Sequence, residues 1–516
     1  MKLHLPYILR CALLSAIMLP AQAALTWNSG SWNTTDASWL NDGATSVFSQ
    51  GDAVEFTNDA EGFQVSITEM VAPSSVVVSG QGYVFAGSGS ISGDTSLVLE
   101  SGASLEVQNT NAFTGGTIVS DGAVLTLSRY DSIGSVNAGE RALGMLSGGG
   151  EVNLMLENAG TLTSITGQSF QDFTGVLRIS RGNLGLGRKS DHSGPGAVAS
   201  LNASRVEVGA EGTFITSMGG GTASLSTGRT VTPDISTVSG ATIGNRDGHV
   251  NWTGDITLNL QSLDSTESDT SGTTSLSLYY GKYVVWNGLV SGSGVLDIRA
   301  GVPDTGADHR LVLTNGENTF SGTYRISGDY MTTLALTSPG AASAASVQLD
   351  SANARLLLMD SSASVVALNG SAGSVLASGS GNYTLTVGSG AFAGSIKDAA
   401  SATAGLTLGI TKTGNGNLNL SGEGCTYTGK TAVQGGELSF SSNVTLGSIA
   451  VAANGARLST AGNLTLRSGA TLDFDVEGTQ GAAISLGGTF ALSDEQTTVS
   501  LSGYESLGIG NYDLIT

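Results

Sequence analysis

The stretch from Gly409 to Phe440, GITKTGNGNLNLSGEGCTYTGKTAVQGGELSF, decides the fold. It contains short runs in which apolar and polar residues alternate, such as Leu418-Asn419-Leu420, and the runs are separated by turns rich in Gly, Ser and Asn. Alternation with a period of two is typical of β-strands, and these turn residues tolerate the backbone angles of tight corners. The stretch therefore predicts short strands joined by sharp turns.

The same scheme recurs along the chain: an aromatic residue, a hydroxyl residue, a glycine and a strand, then another glycine and a second strand. The copies begin at Phe113-Thr114-Gly115, Phe173-Thr174-Gly175, Phe320-Ser321-Gly322 and Tyr427-Thr428-Gly429. Units of this length cannot bury an apolar face alone and must stack on their neighbours, which predicts an all-β solenoid. With roughly 20 to 25 residues per coil and about 4.8 Å between strands, we expect about 20 coils in a rod of about 90 to 100 Å. Tandem β-sandwiches, which also have short strands between turns, are the alternative.

The stretch 409–440 resembles the autotransporter-associated β-strand repeat, also called the passenger-associated transport repeat. In that family a K-x-G-x-G-x-L-x-L-x-G half precedes a Y-x-G-x-T half, and here Lys412 to Gly422 and Tyr427 to Thr431 match the two halves. Weaker resemblances lie at 27–56, 105–127, 284–326, 469–475 and 510–516. The resemblance implies a right-handed parallel β-helix displayed at or beyond the outer membrane.

The chain departs from this family in one respect. A complete autotransporter ends in a membrane barrel, whose strands appear as successive alternating segments of about ten residues. The sequence up to Thr516 has no such series. We therefore expect the outer-membrane translocation pore to be supplied separately or to be missing from this chain.

Residues 1–23 have the pattern of a secretory signal peptide. Lys2 and Arg10 carry positive charge, an apolar run extends from Cys11 to Leu19, and Ala21-Gln22-Ala23 is a small-x-small cleavage site. The pattern predicts export to the cell surface, the outer membrane or the medium, with the periplasm as the alternative. The segments expected after it are an N-terminal β cap at 24–80, a repetitive β-helix passenger at 81–460 with its clear repeat at 409–440, and a late passenger β region without a barrel at 461–516.

Charge and cysteine content narrow the possible partners. The formal net charge is −21, and removal of Lys2 and Arg10 with the signal peptide leaves 19 basic against 42 acidic residues, or −23. Such a surface repels phosphate backbones, so we predict no nucleic-acid partner. Cys425 is the one cysteine outside the signal peptide. The exported chain therefore cannot form an internal disulfide, although its compartment would allow one.

Gly424 to Thr431, GCTYTGKT, matches the P-loop pattern letter for letter. A working P-loop needs a helix directly after it, because the helix N-terminus binds phosphate. Here Thr431 is expected to open a strand, and other copies of the repeat have Gly or Thr in the place of Lys430. The repeat explains the match, and we predict no nucleotide binding.

Patterns for nucleophilic catalysis and for zinc binding are weak. The sequence lacks the G-x-S-x-G elbow of serine hydrolases and the usual spacings of zinc ligands. Asp308 could orient His309 as in a catalytic triad, but a solvated loop between two strands explains this pair more simply. His192 and His249 are isolated in sequence and are interpreted as surface residues.

Parallel β-helices also host enzymes that cleave polysaccharides, and glycoside hydrolysis needs two carboxyl groups close together. The densest ionisable stretch contains Arg178, Arg181, Arg188, Lys189, Asp191 and His192. On a continuous strand Arg178 and Arg181 would point to opposite faces, which weakens a shared site. The surrounding polar positions are mostly Ser, Thr and Asn, so a solvated surface is the preferred interpretation.

Two further groups have residue types that suit binding sites. The loop 264–269, DSTESD, could ligate calcium, but it lacks the regular spacing of calcium-binding repeats and is interpreted as a solvated loop. An aromatic group could stack on sugar rings, but contacts between neighbouring coils explain it more simply. That group consists of Tyr279, Tyr280, Tyr283 and Trp286.

The sequence thus predicts an exported structural or adhesin-like passenger rod without enzymatic activity, catalytic residues, cofactors or metals. Its expected partners are extracellular glycans or other cell-surface molecules. Two other classes stay open: a β-helical polysaccharide lyase or glycoside hydrolase, and a self-assembling surface or biofilm protein. Two or three carboxylates with a basic residue in one groove of one sheet would favour the enzyme, and a flat Ser, Thr and Asn face would count against it.

Overall fold

The structure is a computed structural model of the chain. It describes residues 23–134, 143–157, 162–165, 170, 172–186, 201–217, 229–247, 249–279, 283–300, 308–400, 405–453, 455–477, 483–493, 496–506 and 513–516. These residues form a β-solenoid of about 16 turns, built mainly from parallel strands. The predicted parallel β-solenoid is confirmed, and its right-handed winding stays a prediction. The predicted signal sequence up to residue 22 lies outside the described residues.

The described residues contain 51 strands and one short 3-10 turn, Tyr504–Ser506. The first third of the strands are β1 (Leu25–Trp27), β2 (Ser31–Trp32), β3 (Trp39–Asn41), β4 (Ala44–Ser46), β5 (Ala53–Phe56), β6 (Gln64–Ile67), β7 (Met70–Val71), β8 (Ser75–Val78), β9 (Tyr83–Ala86), β10 (Ser90–Gly93), β11 (Ser96–Leu99), β12 (Ser104–Val107), β13 (Ala112–Phe113), β14 (Thr117–Val119), β15 (Val124–Leu127), β16 (Leu146–Gly148) and β17 (Glu151–Met155). The middle third are β18 (Leu162–Ile165), β19 (Asp172–Phe173), β20 (Val176–Leu186), β21 (Arg205–Ser217), β22 (Arg229–Val231), β23 (Asp234–Val238), β24 (Thr242–Asp247), β25 (Val250–Trp252), β26 (Ile256–Leu260), β27 (Thr273–Leu278), β28 (Tyr283–Trp286), β29 (Val290–Gly292), β30 (Val295–Ala300), β31 (His309–Leu313), β32 (Thr323–Ser327), β33 (Thr332–Leu336) and β34 (Ser346–Leu349). The last third are β35 (Ala354–Leu358), β36 (Ala363–Gly370), β37 (Val375–Ser378), β38 (Tyr383–Phe392), β39 (Ser395–Ala399), β40 (Leu408–Lys412), β41 (Asn417–Leu420), β42 (Thr431–Val433), β43 (Glu437–Phe440), β44 (Val444–Leu446), β45 (Ile449–Val451), β46 (Arg457–Thr460), β47 (Leu464–Leu466), β48 (Thr471–Asp475), β49 (Ile484–Leu486), β50 (Phe490–Leu492) and β51 (Thr498–Ser502).

The strands stack into walls that run along the solenoid. One wall has the order β19-β16-β14-β11-β8-β5-β1-β3-β4, and another has the order β22-β25-β28-β31-β33-β35-β37-β39. The sequence distance between stacked residues varies from coil to coil. Leu438 pairs with Leu458 of the next coil, whereas the partner of Trp252 in its next coil is Trp286, which lies further along the chain. Because many coils carry longer loops than the repeat suggests, the described residues form about 16 turns, whereas about 20 were expected for the chain.

Alternation along each strand fills the interior of the solenoid. In β31, for example, Leu311 and Leu313 point inward and are fully buried. Large aromatic residues stack between coils: the rings of Trp252 and Trp286 lie 5.7 Å apart and nearly parallel. The interpretation of Trp286 as a residue stacked between coils is confirmed. Such continuous apolar rows are the main source of stability, because burial of apolar surface drives folding.

The repeat motif has a physical reason at each of its first three positions. The aromatic residues Phe113, Phe173, Phe320 and Tyr427 are buried in the core. The hydroxyl group of the next residue donates to a glycine carbonyl oxygen of the preceding coil in three copies, for example from Ser321 to Gly292 at 3.4 Å. A Cβ on the motif glycine would lie inside contact distance of the preceding coil's backbone in all four copies: Gly115, Gly175, Gly322 and Gly429. The motif therefore marks a corner where two backbones meet closely.

The buried residues Lys412 and Tyr427 of the repeat pattern at 409–440 make hydrogen bonds inside the solenoid. Lys412 is buried, and its Nζ donates to the carbonyl oxygens of Thr413, Gly414 and, one coil on, Gly435 at 2.6 to 3.0 Å. The buried hydroxyl of Tyr427 lies 2.9 Å from Oγ1 of Thr431. These bonds satisfy polar groups that would otherwise be costly to bury.

The N-terminal end of the solenoid differs from the other coils. Strand β1 pairs in parallel with β5 on one side and antiparallel with β3 on the other, and β3 forms an antiparallel hairpin with β4. Behind the hairpin Trp27, Trp32, Trp39, Phe48 and Phe56 pack ring against ring at 5.0 to 6.1 Å. The hairpin covers the edge of β1, which would otherwise offer unpaired backbone groups to another chain.

Gly429→Ala is expected to destabilise the solenoid by about 1 to 3 kcal/mol, because the new methyl group meets the backbone of Leu408 and Gly409. The measurement is the free energy of unfolding by chemical denaturation. Gly62→Ala is the control, since its Cβ would meet Ser29 at an ordinary 3.4 Å. Equal stability of the two variants would show that the close approach of the coils at Gly429 is not real.

Candidate functional site

A row of outward-facing residues crosses one wall of the solenoid between β17 and β29. Pairing in register places Asn153, Arg178, Glu207, Ser236, Thr257 and Ser291 one above another on successive strands. The neighbouring outward row carries Glu151 and Arg205, separated by Val176. Charged groups of both rows lie within reach of Arg178, because stacked strands are only about 4.8 Å apart.

A loop at 261–272 leaves this wall and folds back over it. It begins after Asn259, whose backbone has a positive φ of 55°, a conformation that Asn tolerates better than most residues. The Asn259 side chain turns inward and donates to the carbonyl oxygen of Ser293 at 2.7 Å. The loop closes on itself through bonds from Gln261 N to Glu267 O and from Asp269 N to Asn259 O. Its tip reaches back over the outward row, where Asp264 contacts Arg178 while most of its side chain stays exposed to solvent.

Arg178 lies at the centre of an ion network between the wall and the loop. Its Nε donates to Glu207 at 2.8 Å, its Nη2 donates to Asp264 at 2.8 Å, and its Nη1 lies 3.6 Å from Glu151. Arg205 binds the other carboxylate oxygen of Glu207, with Nη2 at 2.6 Å. Asp264 lies far from Arg178 in the sequence, so the loop supplies the contact that closes the network.

The environment shifts the protonation of this network in a defined direction. Burial raises the pKa of Glu151 above its ordinary value; Arg178 opposes the rise, and the charges of Glu207 and Asp264 add to it. For Arg178, burial works against the charged form, but the hydrogen bond and charge of Glu207 outweigh burial, so the pKa of Arg178 is raised. Arg178 therefore stays a cation, while Glu151 takes up a proton more readily than an ordinary glutamate does.

The wall, the loop and the ion network border an open cleft of about 550 Å³, which we call the Arg178 cleft. Volumes of this size are typical of small-molecule sites. Its charged residues are Arg178, Arg205, Glu207 and Asp264, and its apolar residues are Leu260 and Leu263. Hydroxyl groups line the remainder, from Ser236, Thr257, Ser265, Thr266 and Ser291.

A second ion cluster lies further along the solenoid, on β30 and β32. Asp297 faces outward but is fully buried under Arg299 and Arg325, which both contact its carboxylate. Ser327 donates a further hydrogen bond at 2.7 Å. Burial works against the charged form of Asp297, but the bonds from Arg325, Arg299 and Ser327 prevail and lower the pKa of its carboxyl group. Since both carboxylate oxygens are bound by partners, this cluster stabilises the fold and leaves no oxygen free for a ligand.

The two arginines of the densest ionisable stretch do not share a site. The expectation that Arg178 and Arg181 point to opposite faces is wrong, because a bulge shifts the register between Ile179 and Arg181 and turns both side chains outward. Arg178 enters the cleft, whereas Arg181 lies 3.5 Å from Glu211 at an exposed corner. Arg188, Lys189, Asp191 and His192 lie outside the described residues.

The prediction that His309 lies on a solvated loop is wrong. His309 opens β31, pairs in register with Thr332 and is fully buried, since it has the same inward parity as Leu311. Asp308 instead contacts Arg310, and its Oδ1 accepts from Thr333 at 2.5 Å. The two residues therefore serve different faces of the wall and do not form a catalytic pair.

Tyr283 is an aromatic residue that lies on the outer surface. The guanidinium carbon of Arg310 stands 4.8 Å above its ring, and the ring of His249 packs against it at 4.7 Å. His249 is half-buried by this contact, so its interpretation as an isolated surface residue needs this correction. Tyr280 lies outside the described residues. With one ring face occupied by Arg310, Tyr283 is poorly placed to stack on a sugar.

The P-loop match has the structure of the repeat. Thr431 opens strand β42, as predicted, and Lys430 binds Asp473 at 3.0 Å.

The cysteine within this match is not reactive. Burial raises the pKa of the Cys425 thiol to about 11, so this cysteine stays protonated and unreactive near neutral pH.

The loop at 264–269, which the sequence offered as a calcium ligand set, has other contacts. Asp264 binds Arg178, and Asp269 accepts from the backbone and hydroxyl of Ser271. Among the described residues, no cluster of three or more His, Cys, Asp or Glu is placed to hold a metal ion.

Sequence reasoning missed Glu151, Arg205, Glu207 and the role of Asp264. The strand Arg205-Val206-Glu207-Val208 alternates polar and apolar residues, which places both charged residues on the outer face. The alternation could have shown that Arg205 and Glu207 face outward, but the alignment of Glu207 with Arg178 depends on the length of the intervening coil. The sequence alone does not specify that length.

Comparisons with known proteins add no relative. No protein-family model matches the chain, and no match was found among curated proteins or solved structures. In the part of the chain that the structure describes, no helix is long and apolar enough to cross a membrane.

Asp297→Asn is expected to cost about 1 to 3 kcal/mol of stability near neutral pH, because the charge-assisted hydrogen bonds from Arg299 and Arg325 to the buried carboxylate are lost. The folded-state pKa of Asp297 is lowered, so its contribution is complete above the ordinary pKa of about 3.9 and is lost as the pH falls through the lowered value. Denaturation curves at neutral pH and near pH 3 test this, and the stability gap between wild type and variant should narrow on acidification. A gap that stays constant would mean that the charge of Asp297 does not stabilise the fold.

Proposed function

We propose that the chain is an exported, autotransporter-type passenger whose β-solenoid acts as a stiff rod that presents its outer surface to extracellular molecules. The continuous stack of parallel coils is the observation that carries this proposal, because such a stack gives length and stiffness without a moving part. The match of Lys412 to Gly422 and Tyr427 to Thr431 to the passenger-associated repeat adds support from the sequence.

The chemistry of the outer surface also supports a display role. Outward positions at the C-terminal coils form a row of Asn419, Ser439, Ser459 and Ser485 in register. Ser439 and Ser441 both donate to the side-chain oxygen of Asn419. Such rows of amide and hydroxyl groups suit contact with polar extracellular molecules.

A polysaccharide-active enzyme is the second candidate, and the Arg178 cleft is the observation that favours it. Glu151 and Glu207 contact the same guanidinium group, and Asp264 faces it from the loop. A carboxyl group with a raised pKa near an ionised one is the arrangement that acid–base glycoside cleavage uses. Against this, both oxygens of Glu207 are already bound by arginines.

Surface display predicts that a protease added to intact cells degrades the chain. Proteinase treatment followed by immunoblotting is the measurement, with a periplasmic protein as the control for intact outer membranes. Loss of the rod signal while the control survives is expected. Complete protection of the chain would reject display and leave a periplasmic role.

The rod proposal further predicts that the purified chain does not cleave polysaccharides. A panel of neutral and acidic polysaccharides is incubated with the chain, and new reducing ends and unsaturated sugars are measured. Turnover that disappears in Glu151→Gln, beside Arg178, while Glu437→Gln on the distant strand β43 keeps it, would replace the rod by the enzyme as the primary function.

A further inference from the structure

The Arg178 cleft contains one permanent and one replaceable counter-ion. Glu207 is only 1% exposed and is held by Arg178 and Arg205 together. Asp264 sits on the loop with 78% of its side chain exposed. A salt bridge with so exposed a partner contributes little, because water and salt compete with it. Asp264 can therefore leave Arg178 at small cost, whereas Glu207 cannot.

The departure of Asp264 frees one arm of the guanidinium group. Nε of Arg178 remains on Glu207 at 2.8 Å, so the side chain keeps its orientation. Nη2, which had bound Asp264, then faces the cleft as a fixed donor. Arg205, with 48% of its side chain exposed, lies beside it. A fixed guanidinium donor of this kind is suited to a carboxylate, which it binds with charge-assisted hydrogen bonds.

The other residues that line the cleft indicate which kind of molecule could carry the carboxylate. Hydroxyl groups of Ser236, Thr257 and Ser291 follow one another along the floor, at the spacing of stacked strands. Ser265 and Thr266 face them from the loop, with Leu260 and Leu263 beside them. A hydroxyl can both donate and accept, so this lining pairs well with another hydroxyl-rich molecule. The leucines offer an apolar surface for the C–H face of such a molecule.

From these observations we propose that the Arg178 cleft binds a saccharide that carries a carboxylate, a uronate-type glycan, and that its carboxylate replaces Asp264 on Arg178. The inference rests on the proposed function, in which the rod presents its outer face to extracellular molecules, and names the class of molecule recognised. Asp264 acts as an internal competitor that occupies the site in the absence of ligand. Because the chain carries a net charge of −21, attraction at long range is unfavourable and recognition depends on these local contacts.

Isothermal titration calorimetry of the purified chain tests the proposal with three probes: a galacturonate hexamer, maltohexaose and a glutamate hexapeptide. The uronate is expected to bind at least about tenfold more tightly than either of the others, since only it combines carboxylates with hydroxyls. Binding of the glutamate peptide as tight as that of the uronate would overturn the choice of a saccharide. Equal binding of maltohexaose would overturn the role of the carboxylate.

Two variants locate the site. Arg178→Gln is expected to weaken uronate binding at least about tenfold, whereas the control Arg181→Gln, which alters an arginine outside the cleft, should leave it unchanged. Asp264→Asn is expected to tighten binding severalfold, because it removes the competing carboxylate from an exposed position. Since Arg178→Gln also deprives buried Glu207 of a partner, its fold is checked by circular dichroism. If Arg178→Gln does not fold, Asp264→Asn still tests the proposal. Unchanged or weaker uronate binding in Asp264→Asn would overturn it.

These measurements are independent of display. Absence of uronate binding to the wild-type chain and to Asp264→Asn would reject the ligand while the protease assay on cells still supports the rod. Protection of the chain in intact cells would reject display and leave the binding result standing.

Discussion

The hydrogen bonds between backbones of successive coils set the rest of the structure. Parallel strands in register hold each residue directly above its equivalent in the preceding coil, about 4.8 Å away. Leu418, Leu438 and Leu458 form one such inward row. Most inward positions are therefore apolar from coil to coil, and a corner such as Gly429 must lack a side chain where two backbones meet. A single coil is not expected to be stable alone, because its strands find their hydrogen-bond partners in the neighbouring coils.

The same stacking controls charge on the outer face. Like charges at the same position of adjacent coils would repel across the ladder, whereas opposite charges stabilise it. The chain follows this rule where charges do stack: Arg178 is in register with Glu207, and Asp297 is in register with Arg325. At many other outward positions Ser, Thr and Asn avoid this repulsion, because each of them can both donate and accept hydrogen bonds. The charged clusters are therefore few, and each has its partners close by.

Local features of the structure could be predicted from the sequence, whereas contacts that depend on the length of each coil could not. Period-two alternation and the aromatic–hydroxyl–glycine scheme predicted the strands, the stacking and the structural reading of the P-loop match at Thr431. They did not predict that Arg178 meets Asp264, because that contact requires the number of residues in each intervening coil. His309 was misplaced for a smaller reason: a polar residue before a strand was assigned to the loop, although its spacing from Leu311 gave it inward parity. Parity along a strand was a better guide than polarity.

Coil length is also what creates the cleft. In the late coils Leu438 stacks on Leu458, and a coil of that length has residues only for strands and tight turns. Around the cleft the coil from Trp252 to Trp286 is much longer, and a large part of the excess forms the loop at 261–272. A rigid wall fixes Arg178 and Glu207, and the inserted loop carries Asp264 to them. Loops held on a rigid scaffold are where binding residues concentrate, because they vary without disturbing the core. The insertion thus gives one segment of an otherwise regular solenoid a cleft lined by charged and hydroxyl groups.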